Sequence, residues 1–98
     1  MDRNRAAAAE HSLIEASRLR PRWSAPHVAL GELYHQSGAL EKAAQHFNQA
    51  IARNPESWRA REGFAEVCVT GGDLKTALQA YLQALKLRPA WWPYRQRL

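Results

Sequence analysis

Apolar residues recur along this chain at steps of three and four, the spacing that keeps them on one face of a helix. The stretch from Leu40 to Ile51 shows this most clearly, with apolar side chains on one side and polar ones on the other. No stretch alternates apolar and polar residues as a strand does. The pattern therefore predicts an all-α fold with helices near residues 6–19, 24–37, 40–53, 57–70 and 73–87, and a sixth that begins at the C-terminus.

Capping residues, glycine and proline mark the ends of these predicted helices. Ser24, Ser57 and Asp73 stand where side-chain oxygens can accept hydrogen bonds from the first free backbone N–H groups. Gly38 follows one apolar stripe, and a glycine after the last helical residue commonly ends a helix. Pro55 stops another helix, because the residue before a proline is pushed out of helical dihedrals.

The chain also repeats itself with a period of 34 residues. Pro21, Pro55 and Pro89 share this offset, and the same offset pairs small residues with small ones and aromatic with aromatic, as in Phe47 and Tyr81. Each period contains two of the predicted helices. One such unit cannot cover its own apolar face, so successive units are expected to stack.

The repeat resembles the tetratricopeptide repeat, whose unit carries W-x₂-L-G-x₂-Y, then A-x₃-F, then P. His27 and Arg61 stand where this pattern has tryptophan. The resemblance implies an all-α, right-handed α-solenoid of helix-turn-helix tetratricopeptide repeats. We expect the positions that match the pattern to be largely buried, and these are Leu30, Tyr34, Ala43, Phe47, Ala50, Phe64, Ala65, Cys68, Ala77, Tyr81 and Ala84.

The repeat period also predicts how the chain is divided. Residues 1–23 would hold the second helix of a partial repeat, 24–57 the first full repeat, 58–91 the second, and 92–98 the start of a further repeat. Aromatic residues occupy the last segment where a capping helix would be polar. Two interpretations follow: a piece of a longer repeat protein, or a complete small protein whose open end is covered by a partner or a second copy.

Length and composition narrow the class of protein further. The 98 residues suffice for one small domain, and contents of 46% hydrophobic and 23% charged residues are typical of one. The single cysteine excludes an internal disulfide and any Cys₄ or Cys₂His₂ zinc site. No apolar run approaches the roughly 18 residues of a membrane span, so we expect no membrane association and a cytoplasmic location.

The resemblance also places a candidate binding surface on the inner face of the solenoid, which the first helix of each unit lines. In related repeats this face binds peptides, and one subset holds a terminal carboxylate with lysine and asparagine. Acidic residues stand at corresponding places here, so we expect no such carboxylate site. The alternative interpretation is a solvated polar surface without a ligand. The candidate ligand-binding residues are Val28, Glu32, His35, Gln36, Arg59, Glu62, Glu66 and Val69.

Basic residues give the chain a formal charge of +5, and most of them fall near the junctions between units. They could form a stripe for nucleic acid or another polyanion. They could equally stabilise helix C-termini, where cations favour the helix dipole. We expect the second role and no nucleic acid partner. Trp23, Trp58, Trp91 and Trp92 also cluster at the junctions, where we expect their rings to pack between units rather than to stack on a ligand.

No residue pattern points to catalysis. The four histidines lack metal-site spacing, Cys68 takes a packing position, and no nucleophile motif is present. We therefore predict that the chain is not an enzyme, holds no cofactor or metal, and serves as a protein–protein interaction scaffold for a peptide or protein partner, with homo-oligomers forming through exposed repeat ends. Two alternatives remain: the repeat segment of a larger bacterial enzyme such as a transferase, and a helical-repeat RNA binder.

Overall fold

The computed structural model describes residues 3–88, with side chains from residue 5 onward. Within that range it contains five helices and no strand. The predicted all-α solenoid of helical repeats is thereby confirmed, while the predicted sixth helix, Trp91 and Trp92 lie outside the described residues. The helices are α1 (Arg3–Leu19), α2 (Ala25–Gln36), α3 (Leu40–Arg53), α4 (Trp58–Gly71) and α5 (Leu74–Leu87).

Two of the three predicted caps form. The side chains of Ser57 and Asp73 each accept a hydrogen bond from the backbone N–H three residues further on, at 3.3 and 3.2 Å. Ser24 makes no such bond, because its own backbone already has helical dihedrals. Helix α2 instead begins with Pro26 in its first turn, where the missing N–H leaves nothing unsatisfied.

Glycine in the left-handed conformation ends the first helix of each hairpin. Gly38 has φ +84° and Gly72 has φ +87°, a region that side chains with a Cβ rarely enter. The backbone N–H of the residue after each glycine donates a hydrogen bond to a carbonyl near the end of the preceding helix. One example is the 2.9 Å bond from the Asp73 N–H to the Cys68 carbonyl. These helix ends turn α2 onto α3 and α4 onto α5.

The helices pack as two stacked hairpins with α1 on one side. Helix α2 contacts α3 within the first hairpin, and α4 contacts α5 within the second. The hairpins join through α3 against α4 and α2 against α4, while α1 packs on α2. Small side chains at the crossings let the backbones approach closely. The fully or almost fully buried residues of this kind are Ala43, Ala50, Ala60, Ala65, Ala77 and Ala84.

The ring of Phe47 joins the two hairpins. It is only 1% exposed and lies between Gly31 on α2 and Gly63 on α4. A Cβ atom added at Gly31 would come within 2.8 Å of the ring, and one added at Gly63 within 2.3 Å. Both distances are shorter than a van der Waals contact, so each glycine leaves the space that the ring fills.

Most of the predicted core is confirmed, with one clear correction. The leucine, phenylalanine and alanine positions of the first unit are buried, while Tyr34, Phe64 and Cys68 are half-buried. Tyr81, predicted to be buried, is 38% exposed. It occupies the same place in its repeat as Phe47, but no described helix follows to cover α5 as α4 covers α3.

The two junction tryptophans within the described residues differ in burial. Trp23 is 47% exposed, and its ring faces the Arg20 guanidinium at 5.3 Å from the ring centroid, so its expected packing between units is at most partial. Trp58 is half-buried at the start of α4. The sequence analysis also missed the burial of His27, which is 5% exposed on α2.

Replacing Phe47 with alanine is expected to destabilise the protein by about 3–5 kcal/mol, because the ring fills a space between two helices that cannot close up. Urea denaturation followed by circular dichroism measures this loss. A loss below about 1 kcal/mol would contradict the packing described for Phe47.

Two glycine substitutions separate steric packing from helix propensity. Gly63→Ala is expected to destabilise by about 1–3 kcal/mol, since its methyl group overlaps a ring that Gly31 already confines. Gly71→Ala is the matched control, because the nearest atom to its added Cβ is a Leu40 methyl at 4.0 Å. That variant is expected to be neutral or stabilised by up to about 1 kcal/mol. Equal unfolding midpoints for the two variants would contradict the close approach at Gly63.

Candidate functional site

A groove of about 370 Å³ lies between α2 and α4, the first helices of the two hairpins. The ring of Phe47 and the bare backbone of Gly63 form its floor. We call this surface the inter-repeat groove. Six of the eight candidate residues from the sequence line it together: Glu32, His35, Gln36, Arg59, Glu62 and Glu66.

The other two candidates lie elsewhere. Val28 lines a smaller adjoining pocket of about 260 Å³, which shares Glu32 and Arg59 with the inter-repeat groove. Its side chain also packs against the core around Phe47. Val69 is exposed near the C-terminal end of α4 and does not line the groove. The structure thus brings together the polar candidates and leaves the two valines at the margins.

A hydrogen-bonded link between His35 and Thr70 holds the two walls of the groove together. The Thr70 hydroxyl donates to the Glu66 carbonyl at 3.0 Å, so its oxygen is left to accept from His35 Nε2 at 2.9 Å. Since His35 is on α2 and Thr70 on α4, this link fixes the spacing of the walls at one end.

The charges of the groove are mostly acidic. Glu32 and Glu66 are exposed, whereas Glu62 is half-buried and accepts a hydrogen bond from the Arg88 guanidinium at the end of α5. Arg59 supplies the positive charge on the α4 side. A negative surface of this kind repels a carboxylate and favours a basic or neutral segment.

The aromatic ring of Trp58 lies at the groove and contacts two arginines, Arg59 and Arg88. The guanidinium carbons of Arg59 and Arg88 lie 5.9 and 5.8 Å from the centroid of the Trp58 ring, within the range of a cation–π contact. The ring therefore lies beside the groove wall and orients the two cations. Its position at the repeat boundary is as predicted, but its contribution to the groove was not.

Three lining residues escaped the sequence analysis as candidates, namely Phe47, Trp58 and Gly63. Phe47 was assigned only to the core, although the same ring also forms the floor of the groove. Gly63 was recognisable, because a glycine inside an amphipathic helix costs stability unless something packs closely against it. Nothing in the sequence around Trp58 indicated that its ring would line a groove as well as lie at a repeat junction.

Two features of the described side chains bear on catalytic chemistry, namely the grouping of possible metal ligands and the state of the one thiol. In the stretch from residue 3 to residue 88, no three His, Cys, Asp or Glu side chains are grouped as metal ligands. Burial raises the pKa of the Cys68 thiol, and the Asp73 carboxylate acts in the same direction. The thiol is therefore protonated at neutral pH, which makes it a poor nucleophile. No helix in this stretch is long and apolar enough to cross a bilayer.

Comparison with known proteins identifies the family. Two family models of the tetratricopeptide repeat match the chain, one over residues 24–57 and one over residues 42–90. The chain belongs to the tetratricopeptide repeat family, as its resemblance predicted. Members of this family generally act through protein interactions rather than catalysis.

The similar proteins are considerably longer than this chain. Human tetratricopeptide repeat protein 6 is 29% identical over 79 residues, which is 81% of this chain and 15% of that protein. A crystal structure of MamA superposes with a TM-score of 0.80 at 23% identity, and a structure of MamA MSR-1 C2 with 0.77 at 19%. Each superposition covers 85% of this chain and 48% of the MamA chain. At these sequence identities the similarity concerns the fold alone.

Proposed function

We propose that the chain is a non-catalytic interaction scaffold that binds a peptide or protein segment in the inter-repeat groove. The observation that carries this proposal is the shape of the site, in which side chains from two successive repeats face one another across an aromatic floor. The link between His35 and Thr70 joins the two helices that form the walls.

The charges of the groove support a particular kind of segment. Glu32 and Glu66 face the groove without the lysine and asparagine that would hold a terminal carboxylate. A segment that ends in a free carboxylate would meet like charges there. The groove is better suited to an internal segment, whose backbone amides and basic side chains can donate hydrogen bonds to these carboxylates.

The arrangement of the arginines gives less support to an RNA-binding function. Arg18 pairs with Glu15, and Arg53 donates to the carbonyls of Pro21 and Gln49. Arg61 binds the Pro55 carbonyl through two nitrogens, and Arg88 binds Glu62. These guanidiniums already have partners within the chain, which supports a structural role for them over a stripe that binds a polyanion. A role as the repeat segment of a larger enzyme would need a catalytic domain elsewhere in a longer protein.

A random-peptide display library tests the groove directly. Peptides selected on the wild-type chain are expected to bind the double variant Glu32→Lys/Glu66→Lys at least about tenfold more weakly, because two groove charges are reversed. Fluorescence polarisation with C-terminally amidated peptides measures the dissociation constants. The control is Glu41→Lys, which changes the charge of an exposed residue at the start of α3, outside the groove.

Unchanged affinity for the double variant would contradict binding in the groove, provided that circular dichroism shows it to be folded. Equal weakening by Glu41→Lys would show that net charge, rather than the groove, governs binding.

We further propose that copies of the chain associate through their exposed ends. Helix α5 carries an apolar stripe in which Leu74, Leu78 and Leu82 are 65%, 60% and 50% exposed, next to Tyr81. Helix α1 at the other end exposes Ile14 and Leu19. Contact between two such ends would remove apolar surface from water, the dominant favourable term in association.

Sedimentation velocity over a wide concentration range measures this association. The wild-type chain is expected to form dimers or larger species as its concentration rises, whereas Leu78→Lys/Leu82→Lys is expected to remain monomeric because it charges the stripe. Gln79→Lys adds a charge to an exposed polar position of the same helix and is the control. A wild-type chain that stays monomeric throughout would contradict the proposal.

A further inference from the structure

A buried pair of histidines joins α2 to α3 outside the inter-repeat groove. The Nδ1 atoms of His27 and His46 are 3.1 Å apart, and their rings are stacked with centroids 5.3 Å apart and planes 20° from parallel. His27 is almost completely buried, and His46 is half-buried. We call these two side chains the histidine pair.

While the two facing Nδ1 atoms are hydrogen-bonded to each other, only one of them carries a hydrogen. In the neutral pair one Nδ1–H donates to the lone pair of the other Nδ1, so the contact is satisfied without any charge. A first added proton can go to the outer nitrogen of the donor ring, but it leaves a cation in the buried contact. A second proton must occupy the shared position, where two N–H groups would face each other and the hydrogen bond would be lost.

We propose that the histidine pair is a proton-sensitive contact that holds α2 against α3 at neutral pH and weakens when the pair binds protons. The contact extends to α1 through Tyr34 of α2. The Tyr34 ring lies 5.3 Å from that of His46, and its hydroxyl donates a hydrogen bond to the Glu10 carboxylate of α1. Three helices therefore meet at the pair.

The charged groups around the pair come from α3 and α1. Helix α3 brings Arg53 and Lys42, both of which oppose a second positive charge nearby. Helix α1 brings Glu10, whose carboxylate favours a charged His46 and acts in the opposite direction. Tyr34 takes no part in the titration, because its bond to Glu10 raises the pKa of Tyr34 to about 12.

The net effect lowers the pKa of both histidines. Burial is the largest cause for each ring, followed for His27 by Arg53 and by His46 itself. Below the ordinary histidine pKa of 6.5, the unfolded chain therefore binds more protons than the folded chain. The stability that the neutral pair contributes is complete above that pH and is lost as the pH falls through the lower pKa values of the folded state.

Urea denaturation of the full chain at pH 7.5 and pH 5.0 tests the proposal. The folding equilibrium constant of the wild-type chain is expected to fall several-fold at the lower pH. His27→Gln and His46→Gln are each expected to show about half of that fall or less. His11→Gln removes an exposed histidine of α1 and is expected to retain all of it. A wild-type stability that does not fall, or the same fall in all three variants, would overturn the proposal.

Two measurements on the unsubstituted chain apply even if a variant does not fold. An NMR titration of the histidine ring protons is expected to give pKa values below the ordinary 6.5 for His27 and His46, and values at or above 6.5 would overturn the proposal. Hydrogen exchange at pH 7.5 and pH 5.0, corrected for intrinsic rates, is expected to show loss of protection in α2 and α3 before α5. A uniform loss across all five helices would overturn the assignment to this junction.

Discussion

The confinement of one aromatic ring between two helices determines most of this structure. Phe47 projects from α3 into a space that exists only because Gly31 and Gly63 have no side chains. The ring fixes how closely α2 and α4 approach, and these two helices are the walls of the inter-repeat groove. The repeat junction and the groove therefore share one side chain, because the Phe47 ring is both the contact between repeats and the floor of the groove.

The same geometry explains why the two junctions of α2 differ in chemistry. Towards α4, the buried part of the contact consists of Gly31, Gly63 and the Phe47 ring, and its titratable member, His35, lies at the edge in a hydrogen bond to Thr70. Towards α3, α2 meets His46 through His27, at a place where the tetratricopeptide pattern has a tryptophan. The packing of an apolar residue at that position would not depend on pH. The histidine pair instead makes the packing of this hairpin depend on its protonation state.

The sequence predicted the repeat architecture well because the periodicity is local information. The helix ends at Gly38, Asn54 and Gly72 follow from the conformations that single residues allow. Burial was less predictable, because it depends on what comes next along the solenoid. Phe47 and Tyr81 occupy equivalent positions, yet only the first is covered by a following described helix.

The groove was predicted in part for a related physical reason. Its polar walls follow from helical spacing, so six candidates could be placed on one face. Its floor and the Trp58 surface depend on contacts between helices that spacing does not encode. The histidine pair was missed similarly, since His27 and His46 lie 19 residues apart and share no repeat position.

NMR mapping with a library-selected peptide tests most directly whether the groove formed around Phe47 binds a partner. Backbone amide shifts are measured on the labelled chain as the peptide is added. The largest changes are expected on α2 and α4 around Glu32, Gly63 and Glu66, with little change on the exposed stripe of α5. Changes confined to α5 or α1, with α2 and α4 unaffected, would contradict binding in the groove.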